Sequence, residues 1–145
     1  MNHGLRLSQA GIADASAIAA LDSLIFGLTA SNQNSWRDEI ANSAGTVIVA
    51  ARAGENVGFI SFLRAADDVE ILKIGVRAEF RRQGIAKDLL GAALANHPAR
   101  CLIDVSATNA QAVAFYREMG FHEVRRRYNY YADGSDAIVM VRSAS

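Results

Sequence analysis

The stretch Val76-Arg77-Ala78-Glu79-Phe80-Arg81-Arg82-Gln83-Gly84-Ile85-Ala86-Lys87 sets a strand, a basic turn and a helix in immediate succession. Ile71, Leu72, Ile74 and Val76 give an apolar strand pattern before the turn, and Ile85, Leu89, Leu90 and Leu94 give an apolar helical stripe after it. Such a turn aims several backbone N–H groups at one point, at the positive end of a helix dipole. That is an anion site, and its size suits a pyrophosphate. Arg81, Arg82 and Lys87 add positive charge, and Gly84 omits a Cβ where a phosphate must come close to the backbone. The chain has neither a Walker-type loop nor a G-x-G-x-x-G fingerprint, which excludes two other phosphate binders. The plainer alternative is a basic turn before an ordinary helix, and the rest of the chain has to decide.

A chain of 145 residues, 51% of them hydrophobic and 21% charged, is expected to form one domain over residues 1–145 with a real core. A formal net charge of zero argues against a dedicated nucleic-acid binder. The single cysteine, Cys101, excludes an internal disulfide and a thiol-rich metal site, and it precedes an apolar run as a small core residue does. His3, His97 and His122 are scattered without ligand spacing, so no metal is expected. No apolar run approaches membrane-spanning length and the N-terminus lacks a signal-peptide core, which predicts a soluble cytoplasmic protein with no membrane partner.

The patterning predicts eleven elements. Leu5 to Gln9 alternates as a first strand. Asp14 caps a helix whose stripe is Ile18, Leu21 and Ile25, ending at the polar segment Gly27 to Asn34. Ser35-x-x-Asp38 has the form of a capping box opening a second helix through Trp36 and Ile40. Thr46 to Ala51 and Val57 to Leu63 flank Gly54-Glu55-Asn56 as a hairpin, and Val69 to Val76 is the fourth strand, entered from Asp67-Asp68. The third helix runs from about Gly84 to Asn96 and is stopped by Pro98. Leu102 to Val105 is a fifth strand, Asn109 to Met119 a fourth helix ended by Gly120, and Phe121 to Tyr131 with Ala137 to Val141 a final strand pair around Asp133-Gly134. The order β-α-α-β-β-β-α-β-α-β-β describes an α/β sandwich with a mixed sheet.

A second motif lies in Ala107-Thr108-Asn109 through Phe115-Tyr116-Arg117-Glu118-Met119-Gly120-Phe121. Asn109 and Tyr116 are seven apart, so on a helix they share a face about 10 Å apart. One amide and one phenol on one stripe can serve two points of an elongated ligand. The plainer reading is a capping Asn and a half-buried Tyr.

At this point the sequence resembles the GNAT superfamily of N-acetyltransferases. Residues 70 to 141 are most similar to the branch that acetylates protein N-termini, and within it to the bacterial ribosomal-protein-alanine N-acetyltransferases. Three blocks carry the likeness: Val76 to Lys87, Leu102 to Phe121, and a tail of Arg126-Arg127-Tyr128-Asn129-Tyr130-Tyr131, Asp133-Gly134 and Asp136-Ala137-Ile138-Val139-Met140. The tail discriminates, because the first two blocks recur across many GNAT proteins. The likeness implies the GNAT fold, with a mixed, mostly antiparallel sheet flanked by helices. It implies acetyl-CoA as the donor, no metal, and an acceptor that is a protein N-terminus, with ribosomal protein S18 and its N-terminal alanine as the target.

Carried over by position, the resemblance gives Ile74, Gly75 and Val76 as backbone partners of the pantetheine arm. Arg82, Gln83, Gly84, Ile85, Ala86 and Lys87 hold the pyrophosphate. Asn109 bonds the pantetheine, and Tyr116 stands at the thioester sulfur as the acid. The Val76 N–H is the implied oxyanion donor. Asp104 falls where the family carries a glutamate base, and it is one methylene, about 1.5 Å, shorter. Glu70 is the rival base, at the position where histone-type lysine acetyltransferases carry theirs, and a water chain without a dominant base is the third possibility. Ala78 replaces a proline usual in the turn, which loosens its backbone without removing a donor. Arg125, Arg126 and Arg127 beside Tyr128, Tyr130 and Tyr131 are a charged strand edge, a tyrosine-lined substrate groove or an RNA contact, the last being the weakest at zero net charge. Two other functions stay open. One is a GNAT enzyme acting on a small amine or a lysine side chain, and the other a CoA-binding sensor without turnover.

Overall fold

A computed structural model describes residues 4–95 and 100–143. Seven strands and four helices follow the predicted order: β1 (Leu5–Gln9), α1 (Ala15–Phe26), α2 (Gln33–Ala41), β2 (Gly45–Arg52), β3 (Glu55–Ala65), β4 (Asp68–Val76), α3 (Ile85–Leu94), β5 (Arg100–Ser106), α4 (Ala110–Glu118), β6 (His122–Arg127) and β7 (Ala137–Arg142). Short 3₁₀ turns precede α1, follow it, and follow β4. The strands form one sheet in the order β1-β2-β3-β4-β5-β7-β6. Every pairing is antiparallel except β4 with β5.

Each face of the sheet carries its own core. On one side Ile85, Leu89, Leu90 and Ala93 of α3 and Val113 and Tyr116 of α4 pack on Ile60, Phe62, Val69, Ile71 and Ile103. On the other, Ala15, Ile18 and Leu21 of α1 and Trp36 of α2 pack on Val47, Val49 and Phe59. Trp36 meets Phe59 edge-on, with centroids 5.2 Å apart. Full burial of side chains of this size contributes about 1.5–3 kcal/mol each.

The parallel pairing of β4 with β5 covers only Asp68 to Ile71 against Arg100 to Ile103, and beyond it the two strands diverge. The divergence coincides with a bulge. Ser61 pairs with Lys73 and Phe62 with Ile71, so Leu72 has no partner on β3. The extra residue switches the facing of the strand. Val69 and Ile71 before it, and Ile74 and Val76 after it, lie on the α3–α4 side, while Lys73 and Gly75 face α1.

Several expectations are corrected. The second helix starts at Gln33, not Ser35: Asn32 is its cap, accepting from the Ser35 N–H at 2.8 Å, and the Ser35–Asp38 box does not form. The Asp14 carboxylate accepts from the Gly11 N–H at 2.8 Å and makes no capping bond to α1. The first hairpin turns at Ala53-Gly54, both at positive φ, and Glu55 and Asn56 already belong to β3. The third helix ends at Leu94, and Asn96 and Pro98 lie outside the described residues. The last strand pair is shorter than expected, with β6 ending at Arg127. Ile12–Thr29, helical throughout, is 18 residues long with a mean hydropathy of 1.5, so a segment of membrane-spanning length and composition does exist. Here it lies along the sheet with Ile18 and Leu21 buried, and it carries Asp22 fully buried in an ion pair.

Candidate active site

Where β4 and β5 part, the gap becomes a cleft of about 750 Å³ running from the turn after β4 to α4 and the end of α1. The turn forms one end. Arg82 (φ 64) and Gly84 (φ 80) both adopt the left-handed conformation, and alternation of this kind curls the chain into a concavity of N–H groups. A non-glycine residue held there is strained by about 1–2 kcal/mol, a cost found preferentially at ligand sites. Gly84 leads directly into α3, so the concavity sits on a helix N-terminus. Arg81, Arg82, Gly84, Ile85, Ala86 and Lys87 line the cleft. Gln83 does not, because its carboxamide turns outward to the guanidinium of Arg52.

Along the β4 wall, Ile74, Gly75 and Val76 all line the cleft, but their backbones are used differently. The Arg77 N–H donates to the Val57 carbonyl at 2.8 Å, which makes 57/77 a hydrogen-bonded pair. Alternation then gives Gly75 to Phe59 and leaves Ile74 and Val76 directed away from β3, toward the gap. Arg81 Nε donates to the Val76 carbonyl at 3.2 Å. Two glycines allow this close approach. A Cβ on Gly58 would fall 2.8 Å from the Gly75 carbonyl oxygen, and one on Gly75 would fall 2.6 Å from the Phe26 ring. Ile25 and Phe26, neither foreseen from sequence, close that end of the cleft.

Opposite stands α4. Asn109 lines the cleft but lies at the N-cap rather than within the helix, and its side-chain oxygen accepts from the Ala112 N–H at 3.1 Å. Its capping role and its place in the cleft are therefore both real. Tyr116 is 2% exposed and lines the cleft, with its ring edge-on to Phe115 and Phe121 at 5.1 and 5.3 Å. Its hydroxyl is buried and has no hydrogen-bond partner among the described residues. Burial, reinforced by nearby Cys101, raises its pKa well above the ordinary phenol value and keeps the O–H protonated. A buried donor without a partner in a residue that lines a cleft is an exception that calls for an explanation. Cys101, fully buried, is pushed up to about 12 by the same desolvation, which removes it as a nucleophile.

The two carboxylates proposed as bases do not line this cleft. Cys101, Ile103 and Val105 face α3 and α4, so Asp104 faces the other side of the sheet, where Arg127 Nε stands 3.9 Å from its carboxylate. Asp104 is also close enough to Tyr131 to raise that phenol's pKa, although burial contributes more. Glu70 is exposed beside Leu102, one step along the sheet from Asp104 on the same face. The anion turn and Tyr116 are thus on one side of the parted strands, and the acidic side chains on the other.

A further polar cluster went unread in the sequence. The fully buried Asp22 carboxylate meets Lys73 Nζ at 2.8 Å and accepts from Trp36 Nε1 at 2.9 Å and the Ser31 N–H at 2.8 Å. Lys73 Nζ also donates to the Thr29 carbonyl at 3.2 Å and lies 4.4 Å from the Phe26 ring centre. Glu39, half-buried nearby, is held above the usual carboxylate range by desolvation, partly offset by Ser61 and Lys73. The signal was available as one charged residue inside each of two apolar runs, Asp22 in α1 and Lys73 between Ile71 and Val76.

Residues 16–144 match the model of the acetyltransferase (GNAT) domain. The chain belongs to the GNAT acetyltransferase family. Among curated members of that family's kind, it is 35% identical over 77 residues to the N-alpha-acetyltransferase of Saccharolobus solfataricus, covering 50% of this chain and 46% of that protein. It is 36% identical over 81 residues to the [ribosomal protein bS18]-alanine N-acetyltransferase of Escherichia coli, covering 51% of this chain and 55% of the relative. These alignments thus span about half the length of the curated relatives. The crystal structure of the Escherichia coli ribosomal-protein-S18-alanine N-acetyltransferase superposes with a TM-score of 0.88 at 24% identity, covering 97% of this chain and 94% of that one. At that identity the likeness establishes the GNAT fold, in agreement with the seven-stranded mixed sheet.

Proposed function

We propose that this GNAT protein transfers the acetyl group of acetyl-CoA to the α-amine at a protein N-terminus, acts in the cytoplasm, and has the N-terminal alanine of ribosomal protein bS18 as its target. One observation carries the reading: a single cleft joins a strained, cationic N–H turn to Tyr116, whose buried hydroxyl has no hydrogen-bond partner among the described residues. A pyrophosphate fits the turn. The gap-facing backbone of Ile74 and Val76 suits an extended amide-bearing arm, bound as an added strand would be. The Tyr116 hydroxyl awaits a developing anion. The partial sequence matches to N-alpha-acetyltransferases support the choice of acceptor, as does the tyrosine-rich tail.

In this reading the neutral amine attacks the thioester carbonyl directly. The N–C bond forms, the C–S bond breaks, and no covalent enzyme intermediate is involved. The Val76 N–H stabilises the oxyanion, and Tyr116 gives its proton to the departing thiolate. An N-terminal amine, with a pKa near ~8, is already partly neutral at cytoplasmic pH. Its remaining proton passes through water to Asp104 or Glu70, both on the acceptor side of the sheet. Arg82 to Lys87, with the exception of the outward-turned Gln83, hold the pyrophosphate, and Asn109 offers the pantetheine its free amide N–H.

Steady-state acetylation of a panel of free amines, lysine peptides and peptides beginning with Ala, Ser or Met tests the proposal. Turnover of Ala-initiated peptides is expected. Turnover of free amines or lysine alone assigns the enzyme to another acceptor, and acetyl-CoA binding without any turnover makes it a sensor. Mass spectrometry of protein N-termini in cells with and without the protein then tests bS18 itself.

A further inference from the structure

We propose that Lys73 and Asp22 form a buried clamp that fixes the α1–α2 connection over the acceptor side of the cleft, so that it governs how tightly the amine acceptor, and not acetyl-CoA, is held. This rests on the acetyl-transfer reading above. Lys73 follows the Leu72 bulge, and only the change of facing at that bulge turns it toward α1. From there it binds α1 at the Asp22 carboxylate and the Phe26 ring, and the connection itself at the Thr29 carbonyl. Asp22 in turn holds the Ser31 N–H and, through Trp36 Nε1, the start of α2.

The segment so held contains Ile25 and Phe26, which close the cleft on the side away from the anion turn. It also contains Leu28, which is fully exposed. Phe26 packs against Gly75, one residue from the gap-facing Val76 backbone. A lysine whose charge is spent on a fully buried carboxylate serves geometry rather than solubility. None of its partners belongs to the turn, α3 or α4, so the donor end of the cleft does not depend on it. Lys73 and Asp22 are positioning residues, acting through Phe26 and the 27–31 backbone.

Removing Lys73 alone leaves Asp22 buried and uncompensated, which threatens the fold itself. The informative variant is therefore the double replacement Lys73→Met with Asp22→Asn. It keeps an acceptor for Trp36 and Ser31 and removes both charges. Two readouts are needed. Hydrogen exchange at the Ala30 and Ser31 amides is expected to quicken by about tenfold or more, with the α3 and α4 amides unchanged. With an Ala-initiated peptide, the acceptor KM is expected to rise about tenfold while the KM for acetyl-CoA stays within about twofold. Equal losses in both KM values, or unchanged exchange at residues 30 and 31, overturn the clamp. If the wild type leaves every peptide untouched, the functional reading falls instead, and the exchange measurement alone decides the clamp.

Discussion

Replacing Tyr116 by Phe separates stability from function in opposite directions. The hydroxyl is buried with no hydrogen-bond partner among the described residues, and a buried hydroxyl without a hydrogen bond costs about 1–3 kcal/mol. Phe keeps the ring and its edge-on contacts to Phe115 and Phe121. Its removal of one oxygen opens little space, so the variant should gain about 1–2 kcal/mol. For a chain of this size that corresponds to a rise in melting temperature of about 3–8 °C. The same deletion removes the proposed acid, and kcat should fall at least about 100-fold. The assay is thermal unfolding without ligand, beside steady-state acetylation of an Ala-initiated peptide followed through CoA release. A lower melting temperature would mean that the hydroxyl has a partner in the free protein. An unchanged kcat would remove Tyr116 from the chemistry, whatever happens to stability.

Other outcomes follow from specific contacts. Gly58→Ala sets a Cβ 2.8 Å from the Gly75 carbonyl oxygen, where only backbone can give way; a loss of about 1–3 kcal/mol in urea unfolding is expected. Cys101 is raised to about 12 by burial, so its contribution to stability is complete below the free thiol's pKa and is lost as pH rises toward the folded value. With an unfolded pKa of ~8.5, the wild type should lose about 2 kcal/mol more than Cys101→Ala between pH 8 and 10. For the base, Asp104→Asn is expected to lower kcat/KM at least about 100-fold across the pH profile and Glu70→Gln to preserve it. The converse result assigns the base to Glu70, and two unchanged profiles assign it to water.

The architecture was legible because its signals are local and repeated. Alternating and 3.6-period apolar patterns give each strand and helix its place, and the strand–turn–helix at Val76 to Lys87 announces its own purpose. What stayed hidden needed long-range pairing. Asn32 and Ser35 both have the chemistry of a helix cap, and only the tertiary path of the chain selects Asn32. Nothing about Leu72 marks it as a bulge, since an apolar residue continues the strand pattern without interruption. Asp22 and Lys73 lie 51 residues apart in sequence, and neither explains the other until the fold joins them. The carboxylates were correctly placed on strands, yet pattern alone could not say that they face away from the cleft that holds Tyr116.

The bulge at Leu72 has a consequence for how this fold can change. The opening between β4 and β5 depends on a count of residues more than on their identity, so point substitutions along β4, Gly75 apart, leave the gateway standing. Deleting one residue there does not. It would leave Lys73 facing α1 and Ile74 facing α3 and α4, as plain alternation from Ile71 does, but it would straighten the strand and hand the free backbone of the gap back to the neighbouring strand. Lineages descending from such a chain can vary the walls of the cleft widely, but a single lost codon at this point would close it.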